Sequence, residues 1–118
     1  MSIPSFDLHV VRDGQTAHIA PSGELDIASA PELERAIAEE TAAPGARLVL
    51  DLRELTFMDS SGLRTLAQTN AQASKGEFEL SIIRGQRQIE RVLEISGLAT
   101  LLPLIDAPPS ARNRLSSS

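Results

Sequence analysis

Apolar and polar positions along this chain repeat with two different periods, and the changes of period mark its elements. Phe6, Leu8 and Val10 alternate with Asp7 and His9, the period of a strand with one buried face. Asp13-Gly14 is a strong hairpin-turn signal, and Thr16 to Ala20 predicts an antiparallel return strand. Pro21 is expected to end that strand or to hold it at an edge, because proline cannot donate to the ladder. Gly23-Glu24-Leu25-Asp26 then reads as a loop. From Ser29-Ala30-Pro31-Glu32 the period becomes helical. Serine and glutamate three apart predict a capping box, and proline is tolerated in a first turn. Leu33, Ala36 and Ile37 form the inward stripe, with Glu32, Glu34, Glu39 and Glu40 outward. Pro44-Gly45 ends this helix.

Leu48, Val49 and Leu50 form a continuous apolar run, as expected of a strand covered on both faces. Asp51 to Thr56 carries charge out of that run, and Phe57 and Met58 are expected to pack the turn down. Asp59, Ser60 and Ser61 place three capping side chains in a row, ahead of Gly62 and the helical spacing Leu63, Leu66, Ala67. This second helix runs to about Ser74. Its stripe weakens after Ala67, where Asn70 and Ala71 take the inward positions, and Lys75-Gly76 stops it. Phe78, Leu80 and Ile82 alternate in a further strand that Ile83 extends. A third helix spans about Gln86 to Ile95. Ile89, Val92 and Leu93 face inward, Arg87, Glu90, Arg91 and Glu94 outward, and Gly97 caps it. Leu101 to Ile105 predicts a last short strand, irregular at Pro103, and the tail from 108 to 118 is expected to fray or stay disordered. A hairpin followed by alternating helices and strands predicts an α/β domain, a small mixed sheet with helices packed on it.

Composition narrows the function. A chain of 118 residues with 42% hydrophobic content suits one domain with a modest core. The net charge of −5, with three phenylalanines as the only aromatics, argues against a nucleic-acid surface, which needs clustered cations and stacking rings. The absence of cysteine excludes disulfides and thiolate metal sites. No apolar run is long enough to span a bilayer, and MSIPSFDLHV lacks the basic-then-apolar pattern of a signal peptide, so a cytoplasmic location is expected. His9 and His18 lie on the predicted hairpin without a metal-spaced partner and read as solvated strand residues.

Enzymatic patterns are missing. Glu24 and Asp26 lack an accompanying base, nucleophile or ligand set. Ser60 is not in a G-x-S-x-G elbow, and no histidine follows it. Neither G-x-x-x-x-G-K-[ST] nor G-x-G-x-x-G occurs. Asp51 ends a buried strand, as a receiver phosphoacceptor would. The acidic pair and the lysine that a receiver needs are not apparent, however. No catalytic residue, metal or cofactor is therefore expected.

The junction at Asp59-Ser60-Ser61-Gly62 carries the remaining chemistry. The first N–H groups of a helix have no intrahelical partner, and the dipole is positive there. Ser60 is either the cap of its helix or an exposed hydroxyl on which a phosphate would meet free N–H donors. Phe57-Met58-Asp59-Ser60-Ser61-Gly62-Leu63 resembles the signature of STAS domains, in particular bacterial anti-sigma factor antagonists. Gly23-Glu24-Leu25-Asp26 is similar to the family's motif after the second strand, and Ser96-Gly97-Leu98 to its segment after the third helix. The resemblance covers roughly residues 6 to 106.

The resemblance implies a STAS domain over residues 1–107, with a sheet of four or five strands and about four helices. It implies that the unphosphorylated protein binds an anti-sigma factor and frees a sigma factor for transcription. That partner would be a serine kinase of GHKL-type ATPase fold that phosphorylates Ser60 and breaks the complex, with a PP2C-type phosphatase restoring it. Ser61 is the alternative acceptor. The implied partner surface comprises Gly23, Glu24, Asp26, Asp59, Ser60, Ser61, Gly62 and Arg64, with Asp26 as a recognition residue and Gly23 and Glu24 open to a structural role. Arg64 departs from the family, many members of which have glycine there. It lies within helical reach of Ser60 and Ser61, where it can pair with a phosphate or change which partner is recognised. The alternative is a STAS scaffold subunit of a stress-sensing or lipid-transport complex without sigma control. Nucleotide binding rests on fold analogy alone.

Overall fold

The computed structural model describes residues 5–108. The predicted hairpin is present. Strand β1 (Phe6–Asp13) pairs antiparallel with β2 (Thr16–Leu25) through a tight turn in which Gly14 adopts a φ of +62°. Strands β3 (Arg47–Asp51), β5 (Glu79–Ile83) and β6 (Leu104–Ile105) continue the sheet in parallel, in the order β1-β2-β3-β5-β6. A further strand, β4 (Glu54–Met58), pairs parallel with β2. Helices α1 (Ala30–Glu40), α2 (Ser60–Ser74) and α3 (Arg87–Ser96) connect them, with a 3-10 turn at Leu98–Thr100. The fold class is the expected mixed α/β sheet. The described residues hold three α-helices rather than about four, and six strands rather than four or five.

Two expectations fail for one reason. Pro21 neither ends β2 nor sits at an edge: it is buried within a ten-residue strand that runs on to Leu25. Along its far side β2 meets two partners in succession. Thr16 to Ile19 pair with β3, and Ser22 to Leu25 pair with β4. Pro21 falls in the gap between the two ladders, where the missing N–H interrupts neither. The loop expected at Gly23-Glu24-Leu25-Asp26 is accordingly strand as far as Leu25, with a bulge between Gly23 and Glu24. The charged stretch after β3 likewise holds a strand, because Leu52 and Leu55 turn inward while Arg53 and Glu54 stay exposed.

The core joins Ala17 and Ile19 of β2, Leu48 and Leu50 of β3 and Ile82 of β5 to Leu33, Ile37, Leu66, Ile89 and Leu93 of the helices. Full burial of such a side chain contributes about 1.5–3 kcal/mol. The inward row of α2 differs from the expected one. Gly62, Thr65, Leu66 and Thr69 are buried and Ala71 is exposed. The two threonines tolerate burial because each hydroxyl has an acceptor: Thr69 donates to the Thr65 carbonyl at 2.7 Å and Thr65 to Glu34 Oε2 of α1 at 2.7 Å. Glu90, expected to face outward on α3, is half-buried and accepts the Gly85 N–H at 2.9 Å. Gly97 ends α3 in the left-handed conformation, as expected. Apart from Pro108, the expected tail lies outside the described residues.

Candidate functional site

Strands β2 and β4 run parallel and end together. Leu25 pairs with Met58, and the Asp59 N–H donates to the Leu25 carbonyl at 3.2 Å. Asp26 and Asp59 therefore leave the sheet side by side, each leading into a helix. Each aspartate satisfies the backbone at its own turn. Asp26 Oδ1 accepts the N–H groups of Ala28 at 3.0 Å and Ser29 at 3.1 Å. Asp59 Oδ1 accepts those of Ser61 at 2.8 Å and Gly62 at 3.3 Å.

The serines differ. The predicted capping box at Ser29 and Glu32 is not formed, since the Ser29 side chain makes no capping bond. Ser29 is buried, donates its hydroxyl to the Glu24 carbonyl at 2.8 Å and accepts the Asp26 N–H at 2.9 Å. Ser60 is the first residue of α2 and is exposed, and its hydroxyl has no hydrogen-bond partner among the described residues. Asp59 has taken the capping role, so Ser60 is not the cap of its helix. The same bonds correct the expected anion site, because the N–H donors of Ser61 and Gly62 are already engaged.

The glycines position the site. A side chain at Gly62 would place its Cβ 2.5 Å from Met58 Cγ and 3.0 Å from Leu25 Cγ, so the first turn of α2 rests directly on β2 and β4. Gly23 lies at the bulge with a φ of +87°, and a Cβ there would overlap the Ser5 carbonyl. Its own carbonyl accepts the Thr56 hydroxyl at 3.2 Å. The structure thus gathers Asp26, Asp59, Ser60, Ser61 and Gly62 at the strand ends. Gly23 sits further back on β2, and Glu24 is exposed beside it. Arg64 is exposed one turn along α2 and forms no ion pair among the described residues.

Two apolar side chains near the strand ends escaped the sequence reading. Ile27 follows Asp26 and is 78% exposed; Phe57, expected to pack the turn down, is 47% exposed. An apolar residue next to a turn-forming aspartate was the available signal for the first. For Phe57 the signal was the alternation Leu55, Phe57 against Thr56, Met58, which breaks at the strand end.

Asp51 and His18 also differ from expectation. His18 is not merely solvated: its Nε2 lies 2.9 Å from Asp51 Oδ2. Arg53 donates to both oxygens of Asp51, at 2.8 and 3.0 Å, and its backbone N–H adds a third bond at 3.0 Å. Burial pushes the Asp51 carboxyl upward, but the Arg53 and His18 bonds outweigh it and hold the pKa down at about 2. Both oxygens are engaged in a structural network. Among the described residues no group of three or more His, Asp or Glu is placed to hold a metal, and no helix is long and apolar enough to cross a membrane.

Comparison with known proteins identifies the family and the fold. The family model for Mlab, STAS domain, matches residues 8–104. The anti-sigma-B factor antagonist of Staphylococcus aureus is 31% identical over 80 residues, 68% of this chain and 74% of that protein. The crystal structure of an anti-sigma factor antagonist from Mycobacterium paratuberculosis superposes with a TM-score of 0.80 at 30% identity, covering 97% of both chains. The antagonist SpoIIAA shares the fold at lower identity. Its unphosphorylated form gives a TM-score of 0.75 at 19% identity, covering 95% of this chain and 98% of that one. The phosphorylated form from Bacillus gives 0.68 at 21%, covering 93% and 98%. The chain belongs to the STAS domain family, the family of the bacterial anti-sigma factor antagonists.

Proposed function

We propose that this protein is an anti-sigma factor antagonist whose unphosphorylated form binds an anti-sigma factor, and that a phosphate on Ser60 switches the binding off. The observation that carries the reading is the Ser60 hydroxyl, exposed and unbonded because Asp59 holds the helix start in its place. Around it the strand ends present the apolar Ile27 and Phe57 and the acidic Asp26 and Asp59, a surface suited to a protein partner. A phosphate adds about −1.5 to −2 charges at neutral pH. Next to Asp59, that dianion would be repelled and hard to desolvate in a packed interface. The protein performs no chemistry itself: it is the substrate of its partner, a serine kinase of GHKL-type ATPase fold, and of a PP2C-type phosphatase. Binding to the partner leaves the sigma factor free.

The test is a pull-down from host lysate with wild type and Ser60→Asp. Wild type is expected to capture a GHKL-type ATPase and the aspartate variant to lose it. Equal capture by both removes Ser60 charge as the switch. A second reading is a STAS subunit of a lipid-transport or stress-sensing complex without sigma control; the family model that matches names a STAS domain and no sigma-factor role. That reading predicts capture of a transporter subunit or a larger assembly, insensitive to Ser60→Asp.

A further inference from the structure

A phosphate on Ser60 would find the start of α2 already occupied. Asp59 Oδ1 holds the Ser61 and Gly62 N–H groups, and the Leu63 N–H donates to the Asp59 carbonyl at 3.1 Å. The helix start therefore offers a new anion little beyond the N–H of Ser60 itself. The neighbouring side chains are acidic. Asp59 precedes the serine, Asp26 leaves the adjacent strand end, and Glu34 of α1 reaches α2, where its Oε2 accepts the Thr65 hydroxyl at 2.7 Å. Arg64, on the same helix as Ser60, is exposed and forms no ion pair among the described residues.

Arg64 stands four residues after Ser60 on the same helix. Positions i and i+4 share a face with Cβ atoms about 5–6 Å apart, and an anion N-terminal to a cation is the favourable orientation. The reach of an arginine covers that gap, and its planar fork fits phosphate oxygens in pairs. Resting on the reading of Ser60 as the acceptor, we propose that Arg64 is the intramolecular counter-ion of the Ser60 phosphate. Phosphorylation then changes the surface twice. It adds a dianion and it draws in Arg64, so an acidic group on the partner that Arg64 would meet loses its counterpart at the same moment.

The test needs neither kinase nor partner. Phosphoserine is encoded genetically at position 60 of the full chain, and its second ionisation, near about pH 6 in a free phosphoserine, is followed by 31P NMR at low salt. The same phosphoprotein carrying Arg64→Gln serves as the comparison. The phosphate beside Arg64 should titrate about half a unit lower, roughly a threefold difference in proton affinity. The gap should close in 1 M salt, where screening acts over about 3 Å. Arg64→Lys should keep the charge effect and lose part of the shift, and circular dichroism confirms that all three proteins share the fold. Phosphate pKa values that agree within about 0.1 unit with and without the Arg64→Gln substitution overturn the proposal. If the cognate kinase leaves Ser60 of the natural protein unmodified, the acceptor reading fails, while the titration still decides whether the pair forms.

Discussion

The two helix starts at the strand ends use the same residue types and produce opposite serines. Before α1, Asp26 is separated from Ser29 by two residues. The chain turns back on itself, and the serine hydroxyl is buried against the Glu24 carbonyl and the Asp26 N–H. Before α2, Ser60 follows Asp59 directly. The aspartate alone satisfies the backbone, and the serine is left outside with a free hydroxyl. The difference is one of spacing rather than composition. The aspartate that caps its helix from the adjacent position leaves the next serine outside, whereas the one that holds the turn ahead of its helix draws the serine into that turn.

The largest test of this contrast targets the residue on which the second start rests. Gly62→Val should destabilise the protein by about 3 kcal/mol, the upper range for forcing a side chain into a packed contact, measured as the shift of the urea midpoint. A cost near zero would mean that α2 is free to lift away from Met58 and Leu25. Next comes Asp51, at the end of β3, whose oxygens are held by Arg53 and His18 rather than by a helix. Its folded pKa of about 2 lies below the ordinary value of 3.8. The carboxylate therefore contributes up to about 2 kcal/mol that is fully present above about pH 4 and lost as pH falls toward 2. Asp51→Asn should remove that slope from the acid-unfolding profile. The smallest and most direct test compares the two serines. Ser29→Ala removes a buried hydroxyl together with its bonds to the Glu24 carbonyl and the Asp26 N–H and should cost about 1–2 kcal/mol, whereas Ser60→Ala should stay within about 0.5 kcal/mol. Equal costs in urea unfolding would erase the distinction.

Much of this organisation is legible along the chain. The hairpin follows from the alternation before Asp13-Gly14, and the central β3 from its unbroken apolar run. The Asp59-Ser60 junction was visible both as a helix start and as a likeness to a family. What escaped notice depended on partners distant in sequence. Pro21 reads as a strand end unless one knows that β2 changes partner there. Strand β4 hides behind Asp51, Arg53 and Glu54, charges that either pair with one another or face solvent while Leu52 and Leu55 turn in. Ser29 looks like a cap because its type and spacing are right. Only the geometry of the turn shows that its hydroxyl is committed to the Glu24 carbonyl and the Asp26 N–H instead. The occupied N–H groups at Ser61 and Gly62 were hidden in the same way, since three adjacent capping residues leave open which one accepts.

The contact beneath Gly62 also bears on how a signal at this end of the molecule travels. With no atoms to spare between α2 and the two strands, the helix has a mechanical stop on its inner side. A group added at Ser60 cannot be accommodated by sinking the helix, so the load is not passed into the sheet. On the proposed reading, a phosphate at that hydroxyl would stay on the outside, and a partner would read it by touch rather than by sensing a changed shape.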